Sequence, residues 1–552
     1  MVGKSNPQAP LLAGGTGEDP LLQDGFHEEE LNVERVPAFE VPRSIRLLQV
    51  ACAVVFCLFA AGPVFGYAAL KPVLIEEEVY RDQCTPEEIH DKVRVCTGQE
   101  LRLNLMFTAA AVTTNVSALL VGTILDTFGP HVAGFLGGLF SGLGMLVLAF
   151  APFFHQYMDA YIVGYMILAL GGPFVFISSF HLSNAFPAYS GSILALLTGA
   201  FDSSSIVFFV YQVLYKQTGL TPHKFFLLFL TVPAVIIIAQ LTIMPNSSYK
   251  TFGELVQQKD ETIAELDASD DESRSANTLR VERRERRESV VSEITELLGD
   301  KNAIDEQIKE DEKREMSGVW GVMHGKSIRE QVVSPWWILI TLFTVVQMTR
   351  INYFVATIFP QYEHLLGYES AEKLNAFFDI ALPLGGVLSI PFIGTLLDNT
   401  RTITVLTILV GLATTIGVLG LIPNIWCGYI NIALFVVYRP FYYTTVSDYC
   451  AKVFGFATFG TVYGAMICLS GLLNLGQTGL DWLTTSYFQR DPVPVNLGLL
   501  AAALAVGLAL VTFVHTKEKE GRRAMLERAA KGGSSEHMPF AGGSNDYQNL
   551  QN

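Results

Sequence analysis

The chain has 552 residues, of which 50% are hydrophobic and only 16% are charged, and its mean hydropathy is +0.36. A soluble protein of this length would carry roughly a quarter charged residues, so the composition argues against a large soluble helical protein. The net charge of −16 is concentrated in the two tails and in residues 246–334, so it says little about partners and does not indicate nucleic-acid binding.

Residues 1–44 are predicted to form a cytosolic N-terminal tail. Their sequence is polar and acidic, as in GEDPLLQDGFHEEELNVE at 17–34, and it resembles neither a signal peptide nor an arginine-rich transit peptide. We therefore expect the first apolar tract to direct membrane insertion. Leu21-Leu22 in this tail, and Leu297-Leu298 further on, follow acidic residues as in dileucine sorting signals. They favour the vacuolar membrane over the plasma membrane.

Long apolar tracts follow the tail, and several carry no charge at all, such as VACAVVFCLFAAGPVFGYAAL at 50–70. About 20 apolar residues can cross a ~30 Å hydrocarbon core as a helix. Twelve tracts meet this requirement, six within residues 45–245 and six within residues 335–515. The predicted spans are 46–72, 102–125, 131–151, 158–182, 188–214, 225–245, 335–361, 373–397, 402–422, 426–448, 455–478 and 496–515.

The distribution of lysine and arginine predicts the orientation of these spans. Arg43 and Arg46 precede the first span, Arg401 and Lys452 lie in later loops on the same side, and Lys517 follows the last span. Cytosolic loops carry an excess of such residues, so both termini are predicted to be cytosolic.

The first outer loop, residues 76–100, contains Cys84 and Cys96. An extracellular or lumenal loop permits a disulfide bond there, and two free thiols are the alternative. The seven cysteines show no metal-binding spacing, so no metal site is predicted.

Residues 246–334 separate the two groups of six spans and are dense in glutamate, aspartate, arginine and lysine. They are predicted to form a cytosolic linker that is largely flexible, with some helix. Ser289 follows Arg286-Arg287 as in a kinase site, and an unmodified solvated segment is the alternative. Residues 516–552 are predicted to form a cytosolic C-terminal tail.

A short motif occurs at corresponding places in the two halves. VGTILDTFG (121–129) ends the second span, and IGTLLDNTR (393–401) ends the eighth. Gly122 and Gly394 allow neighbouring helices to approach closely. Asp126 and Asp398 follow one turn later, where a carboxylate can meet a helix N-terminus or a basic partner.

This repeat is the signature of the major facilitator superfamily and resembles its cytosolic gate motif. The resemblance implies an all-α membrane protein with twelve transmembrane helices in two six-helix bundles, working by alternating access. The basic residues that normally follow the aspartate are missing from the first copy, and only Arg401 remains in the second. The ionic partners of Asp126 and Asp398 therefore stay open.

Four charged residues lie within predicted spans: Asp202, Arg350, Asp379 and Arg439. Such residues are expensive in hydrocarbon and mark functional sites, and repeat-based transporters bind their substrates near the midplane. The arginines could pair with the aspartates and simply hold the halves together. They could instead line a polar pocket in which an arginine fork binds a carboxylate. We expect Arg350 to face a central cavity, and Asp202 or Asp379 could carry a proton across.

Several further stretches resemble solute carrier family 43 and its fungal relatives, most specifically QELRLNLMFT at 99–108, together with GYAALKPVLIEEEVY at 66–80 and QMTRINYF at 347–354. The long acidic linker is closer to the fungal branch. The resemblance implies a facilitative carrier of large neutral amino acids, or of purine nucleobases as in one branch of that family.

For an amino acid, Arg350 would bind the carboxylate, and Asp202 with Ser203 would bind the ammonium group. Arg439 is a further candidate substrate-binding residue. Tyr353 shares a helix face with Gln347 and Arg350 and is a further candidate.

A nucleobase would instead stack on Tyr442 or Tyr67 and form hydrogen bonds with Gln347 or Asn104. Both chemistries fit these residue types, so the sequence leaves the substrate open.

The sequence favours no other class of protein. It contains no nucleophile elbow, metal cluster or phosphate-binding loop, so neither an enzyme nor a cofactor is predicted. A nutrient sensor that binds without transporting remains an alternative. The expected partners are a small-molecule substrate and the lipid bilayer, and the protein is expected to be a monomer.

Overall fold

A computed structural model describes residues 41–90, 95–154, 157–249 and 317–530. The apolar tracts form α-helices, since hydrocarbon offers the backbone no other hydrogen-bond partners. The N-terminal half contains α1 (Arg43–Phe56), α2 (Tyr67–Glu76), α3 (Thr97–Ala149), α4 (Ala160–Ser179), α5 (Ser190–Ser203), α6 (Ile206–Thr218), α7 (Pro222–Phe229) and α8 (Thr231–Thr242). The C-terminal half contains α9 (Pro335–Leu366), α10 (Tyr368–Asn399), α11 (Thr402–Leu419), α12 (Ile425–Phe454), α13 (Phe459–Asn474) and α14 (Val493–Ala530).

The described residues include 10 helical segments that are long and apolar enough to cross a membrane. One of them, Gly98–Ala149, has 52 residues and comprises two spans, because Gly129 has φ 83° and ψ 171° and breaks the helix. The 30-residue helix α12 is not among the ten, yet it has membrane length. The helices of the described residues are therefore compatible with twelve spans in two bundles.

The first and fifth spans are interrupted at neighbouring points. A π-helical turn (Cys57–Ala61) and a 3₁₀ turn (Pro63–Gly66) separate α1 from α2, and Ser204 and Ser205 separate α5 from α6. The interruptions pack together so closely that a β-carbon at Gly66 would lie 2.5 Å from the Ser205 carbonyl oxygen. Broken helices near the midplane leave backbone polar groups available, as in other transporters.

One end of the molecule, here called the loop end, carries the first long loop. The predicted disulfide is present and joins Cys84 to Cys96, whose Cα atoms are 5.6 Å apart. The Tyr80 hydroxyl donates a hydrogen bond to Asp159, and burial together with this carboxylate raises the pKa of Tyr80 above its usual value. The loop is thereby held against the start of α4.

The opposite end, here called the gate end, carries the repeated motif. Asp126 lies about 30 residues along α3 from Cys96, which is roughly 45 Å at 1.5 Å per residue. The distribution of lysine and arginine in the sequence predicts that this end is cytosolic.

The predicted linker boundary needs a correction at its C-terminal side. Residues 317–334 are part of the C-terminal bundle, because the Gly321 and Met323 amides donate hydrogen bonds to the carbonyl oxygens of Lys452 (2.8 Å) and Val453 (3.0 Å). A short helix, Ile328–Val333, then leads into α9 with a capping box at Ser327. The predicted end of the last span at residue 515 also lies inside a helix, since α14 continues to Ala530.

Several predictions concern residues outside the described ranges. These are the tail with Leu21-Leu22, the linker with Ser289 and Leu297-Leu298, and the end of the C-terminal tail, at residues 1–40, 250–316 and 531–552.

Candidate functional site

An ion pair joins the two bundles within the membrane-spanning region. Asp202, near the end of α5, lies 3.6 Å from Arg439 of α12, measured from Oδ1 to Nη2. The two side chains are only 4% and 17% exposed. Tyr443, one turn beyond Arg439, forms a hydrogen bond with the guanidinium group. The predicted pairing of an intramembrane arginine with an aspartate thus exists for these two residues.

The polar atoms of this pair are incompletely satisfied. Among the described residues, neither carboxylate oxygen of Asp202 accepts a hydrogen bond, and the Nε atom of Arg439 has no acceptor. The hydroxyl groups of Ser203 and Thr198, both on α5, are also buried without partners. Buried polar groups normally have partners, so this cluster has the character of a site for water or a polar solute.

Arg350 takes a different position from the one expected. Its guanidinium group donates to the Gln347 side chain (3.2 Å) and to the Ala413 carbonyl oxygen (3.0 Å) on α11. It lines a cavity of about 50 Å³ whose lining residues all belong to the C-terminal bundle. No carboxylate of the described residues lies within 4.0 Å of it. The expectation that Arg350 faces a central cavity between the bundles is therefore corrected.

Three of the predicted tyrosines use their hydroxyl groups in helix packing. Tyr442 donates to the Thr344 carbonyl oxygen (3.0 Å), and Tyr67 donates to that of Leu103 (2.6 Å). Tyr353 forms a hydrogen bond with the Thr484 hydroxyl (2.6 Å). Tyr67 and Tyr442 are buried, so neither ring offers a free face for stacking in this conformation.

Two other predicted residues, Asn104 and Asp379, lie towards the loop end. Asn104 is exposed and accepts a hydrogen bond from Lys71 (3.0 Å). Asp379 is also exposed and accepts one from Asn375 (3.0 Å). The structure therefore does not bring Asp379 together with either arginine.

At the gate end, the two motif aspartates cap helices of the opposite bundle. Asp126 accepts hydrogen bonds from the backbone amides of Gly460 (2.9 Å) and Thr461 (2.6 Å) at the start of α13. Asp398 accepts them from Gly191 (2.9 Å) and Ser192 (3.0 Å) at the start of α5. A carboxylate at a helix N-terminus satisfies free N–H groups and is stabilised by the helix dipole.

These reciprocal caps supply partners that the sequence left open. Arg401, the remaining basic residue of the motif, instead contacts Glu518 of α14 at 3.5 Å.

Helices α3 and α13, from opposite bundles, touch at the gate end. A β-carbon at Gly122 would lie 1.8 Å from the Gly460 carbonyl oxygen, so α3 and α13 are in backbone contact there. Asn104 is 18 residues before Gly122 and therefore on the same face of α3, yet it is exposed. The described conformation is thus closed at the gate end.

Sequence reasoning missed several polar residues of the C-terminal bundle. Tyr438 has a buried hydroxyl without a partner beside Arg350, and Tyr443 contacts Arg439. Three amide side chains also line the cavity, those of Gln361, Asn431 and Asn496. Amide residues within apolar helices are visible in the sequence and could have indicated a polar cavity.

Residues 104–475 match the sequence model of the Major Facilitator Superfamily. The chain is 46% identical to Protein FMP42 of Saccharomyces cerevisiae, over 86% of this chain and 96% of that one. It is 24% identical to equilibrative nucleobase transporter 1 of Bos taurus, over 83% and 92%. A shorter match, 30% identical, covers 29% of this chain and 30% of large neutral amino acids transporter small subunit 3 of Mus musculus.

Among solved structures, the proton:xylose symporter XylE superposes with a TM-score of 0.55 at 14% identity, over 85% of this chain and 95% of that one. At this identity the likeness concerns the fold alone.

Proposed function

The chain belongs to the Major Facilitator Superfamily, and on that premise we propose that it moves large neutral amino acids across a membrane by alternating access. It is a multi-pass membrane protein of a transporter family, and its relatives carry the names of amino acid and nucleobase transporters. The Asp202–Arg439 pair is the observation that favours amino acids over nucleobases as substrates.

This pair has the chemistry that a zwitterion requires. An α-amino acid carries an ammonium group and a carboxylate a few ångströms apart. The ammonium group can replace Arg439 at the unsatisfied oxygens of Asp202, and the carboxylate can bind the guanidinium group. Because the two residues belong to different bundles, the exchange also removes a direct attraction between the bundles and links binding to their movement.

A purine nucleobase is the second candidate, and the match to the nucleobase transporter over most of both chains favours it. A neutral base needs stacking faces and amide partners rather than an ion pair. In the described conformation Tyr67 and Tyr442 are packed in helix contacts, and Gln347 bonds Arg350. These positions favour the amino acid.

The test is uptake into proteoliposomes with a panel of labelled leucine, methionine, phenylalanine, adenine and guanine. We expect amino acid uptake, and we expect Arg439→Gln and Asp202→Asn each to lower it at least tenfold, since a hydrogen bond to a charged group contributes about 1.5–3 kcal/mol. Glu520→Gln, which alters an exposed pair with Lys517, is the matched control. Uptake of purines alone would replace the amino acid proposal, and binding without uptake would favour the sensor.

Proton linkage is a further part of the proposal and concerns Asp202, because it is the buried carboxylate of the pair. We expect an inward-directed proton gradient to accelerate uptake by the wild-type protein and not by Asp202→Asn. The measurement is the initial rate with and without the gradient. An initial uptake rate of the wild-type protein that is the same with and without the gradient would identify a uniporter.

We also propose the vacuolar membrane as the location, on the basis of the two dileucine sequences alone. A fluorescent fusion should mark the vacuole, and replacement of Leu21-Leu22 and Leu297-Leu298 by alanine should move it to the cell surface. Surface localisation of the unaltered protein would contradict this.

A further inference from the structure

We propose that the cavity inside the C-terminal bundle binds a chloride-sized monovalent anion beside Arg350. The cavity is lined by residues of α9, α11, α12 and α14, and no lining residue comes from the N-terminal bundle. It is thus separate from the Asp202–Arg439 pair, and the proposal does not depend on which solute the protein transports.

The charge of the cavity favours an anion. Arg350 is its charged lining residue, and the lining contains neither aspartate nor glutamate. The guanidinium group binds two neutral oxygens, of Gln347 and Ala413, which leave its charge uncompensated. A buried charge in a membrane protein is normally paired, because desolvation costs several kcal/mol per ion.

The cavity also presents donors that have no acceptor. The Tyr438 hydroxyl and the Nε2 atom of Gln347 are buried without partners. Tyr438 is 3% exposed and Gln347 is 1% exposed. Together with the guanidinium group they offer three kinds of N–H or O–H donor to one space. Asn431 adds an unpartnered acceptor oxygen, which a water molecule beside the anion can bridge.

The dimensions of the cavity suit a small ion. Its volume of about 50 Å³ exceeds the roughly 10–15 Å³ that one water molecule needs. Gly417 lies beside the guanidinium group, and a β-carbon there would be 2.8 Å from Nη2 of Arg350. An anion in this space would link α9 to α12 through Arg350 and Tyr438, and Arg350 itself donates to the Ala413 carbonyl oxygen of α11.

The experiment is a chloride titration of the detergent-solubilised full-length protein at constant ionic strength, with gluconate as the replacing anion and thermal unfolding as the readout. A ligand of the folded state raises the Tm in a saturable way. We expect chloride and bromide to do so. We expect Arg350→Gln to abolish the rise and Tyr438→Phe to weaken the apparent affinity about tenfold or more, from loss of a hydrogen bond to a charged group.

Arg401→Gln is the matched control, because Arg401 is an exposed arginine paired with Glu518 and does not line the cavity. It should keep the full chloride response. Tyr438→Phe retains the ring and keeps the test valid if Arg350→Gln fails to fold.

Three results would overturn the proposal: a wild-type Tm independent of chloride, a chloride response unchanged in Tyr438→Phe and Arg350→Gln, or an equal loss in Arg401→Gln. A response to acetate and formate without one to chloride would show that the cavity binds a carboxylate group, and it would also overturn the chloride assignment.

Discussion

The intramembrane arginines Arg350 and Arg439 differ in what surrounds them rather than in their chemistry. Arg439 meets a carboxylate from the other bundle at 3.6 Å, so its charge is compensated and a separation of the bundles at this point would break the contact. Arg350 is held by neutral oxygens within its own bundle. A carrier needs interactions that change between its two states, and an inter-bundle pair does so directly.

At the same scale, single glycines set how closely the bundles approach. Gly122→Ala should force α3 and α13 apart, because the added β-carbon would lie 1.8 Å from the Gly460 carbonyl oxygen. We expect the conformation that is closed at the gate end to be destabilised by roughly 1–3 kcal/mol, which is typical of overpacking. Thermal unfolding and uptake by proteoliposomes measure the effect.

The matched control is Gly411→Ala, because nothing lies within 4 Å of a β-carbon at that position. It should leave uptake unchanged and slightly raise helix stability. If Gly122→Ala behaved like Gly411→Ala, close packing at the gate end would not explain the glycine.

At the scale of elements, the gate end depends on two helix N-termini, those of α5 and α13. Each receives a carboxylate from a helix of the other bundle, so the repeated motif acts symmetrically. Both caps are made only while the bundles touch at this end. They therefore stabilise the described conformation relative to one that is open at the gate end.

Asp126→Asn and Asp398→Asn should each weaken the closed gate end. The asparagine can still accept a hydrogen bond, but the charge that interacts with the helix dipole is lost, which is worth about 0.3–2 kcal/mol. A shift of about two- to thirtyfold towards the gate-open state follows. Distances between spin labels on the two bundles at the gate end measure it.

The double variant tests whether the caps act independently. Because the two caps share no hydrogen-bond partner, their effects should add. Glu520→Gln removes an exposed charge that caps no helix and should leave the distance distribution unchanged. An unaltered distribution in both aspartate variants would show that the caps do not control the gate.

At the scale of the whole molecule, the proposed alternating access requires the bundles to separate at the gate end during each transport cycle. A disulfide between Ser192→Cys on α5 and Gly394→Cys on α10 should prevent this, since a β-carbon at Gly394 would be 3.1 Å from that of Ser192. Natural disulfides join β-carbons about 3.5–4.5 Å apart, so α5 and α10 must move slightly apart, which also relieves the 2.8 Å contact of this β-carbon with the Ser192 Cα atom. Oxidation should stop uptake, and reduction should restore it.

Each single-cysteine variant, under the same oxidant, controls for effects of the substitutions. The wild-type protein with reductant controls for loss of the native Cys84–Cys96 bond. Uptake by the fully cross-linked double variant would mean that transport does not require separation at this end.

The sequence by itself determined the membrane class, the division into two halves and the starts of the spans to within a few residues. These follow from local quantities, because any tract of about 20 apolar residues gains by entering hydrocarbon as a helix whatever its neighbours are. The repeated G-T-[IL]-L-D motif likewise identified Asp126 and Asp398 before any contact was known.

Only the tertiary structure decided what each polar side chain meets. Asp126 caps a helix that begins more than 330 positions further along the chain, and the partner of Arg439 lies in the other bundle. Hydropathy does not specify the rotation of a helix about its axis when most of its surface is apolar. The side that Arg350 faces was therefore set by packing among α9, α11 and α12. The helix α12 likewise has no polar stripe in its sequence, so the contacts of Tyr438 and Tyr443 became visible only in the tertiary structure.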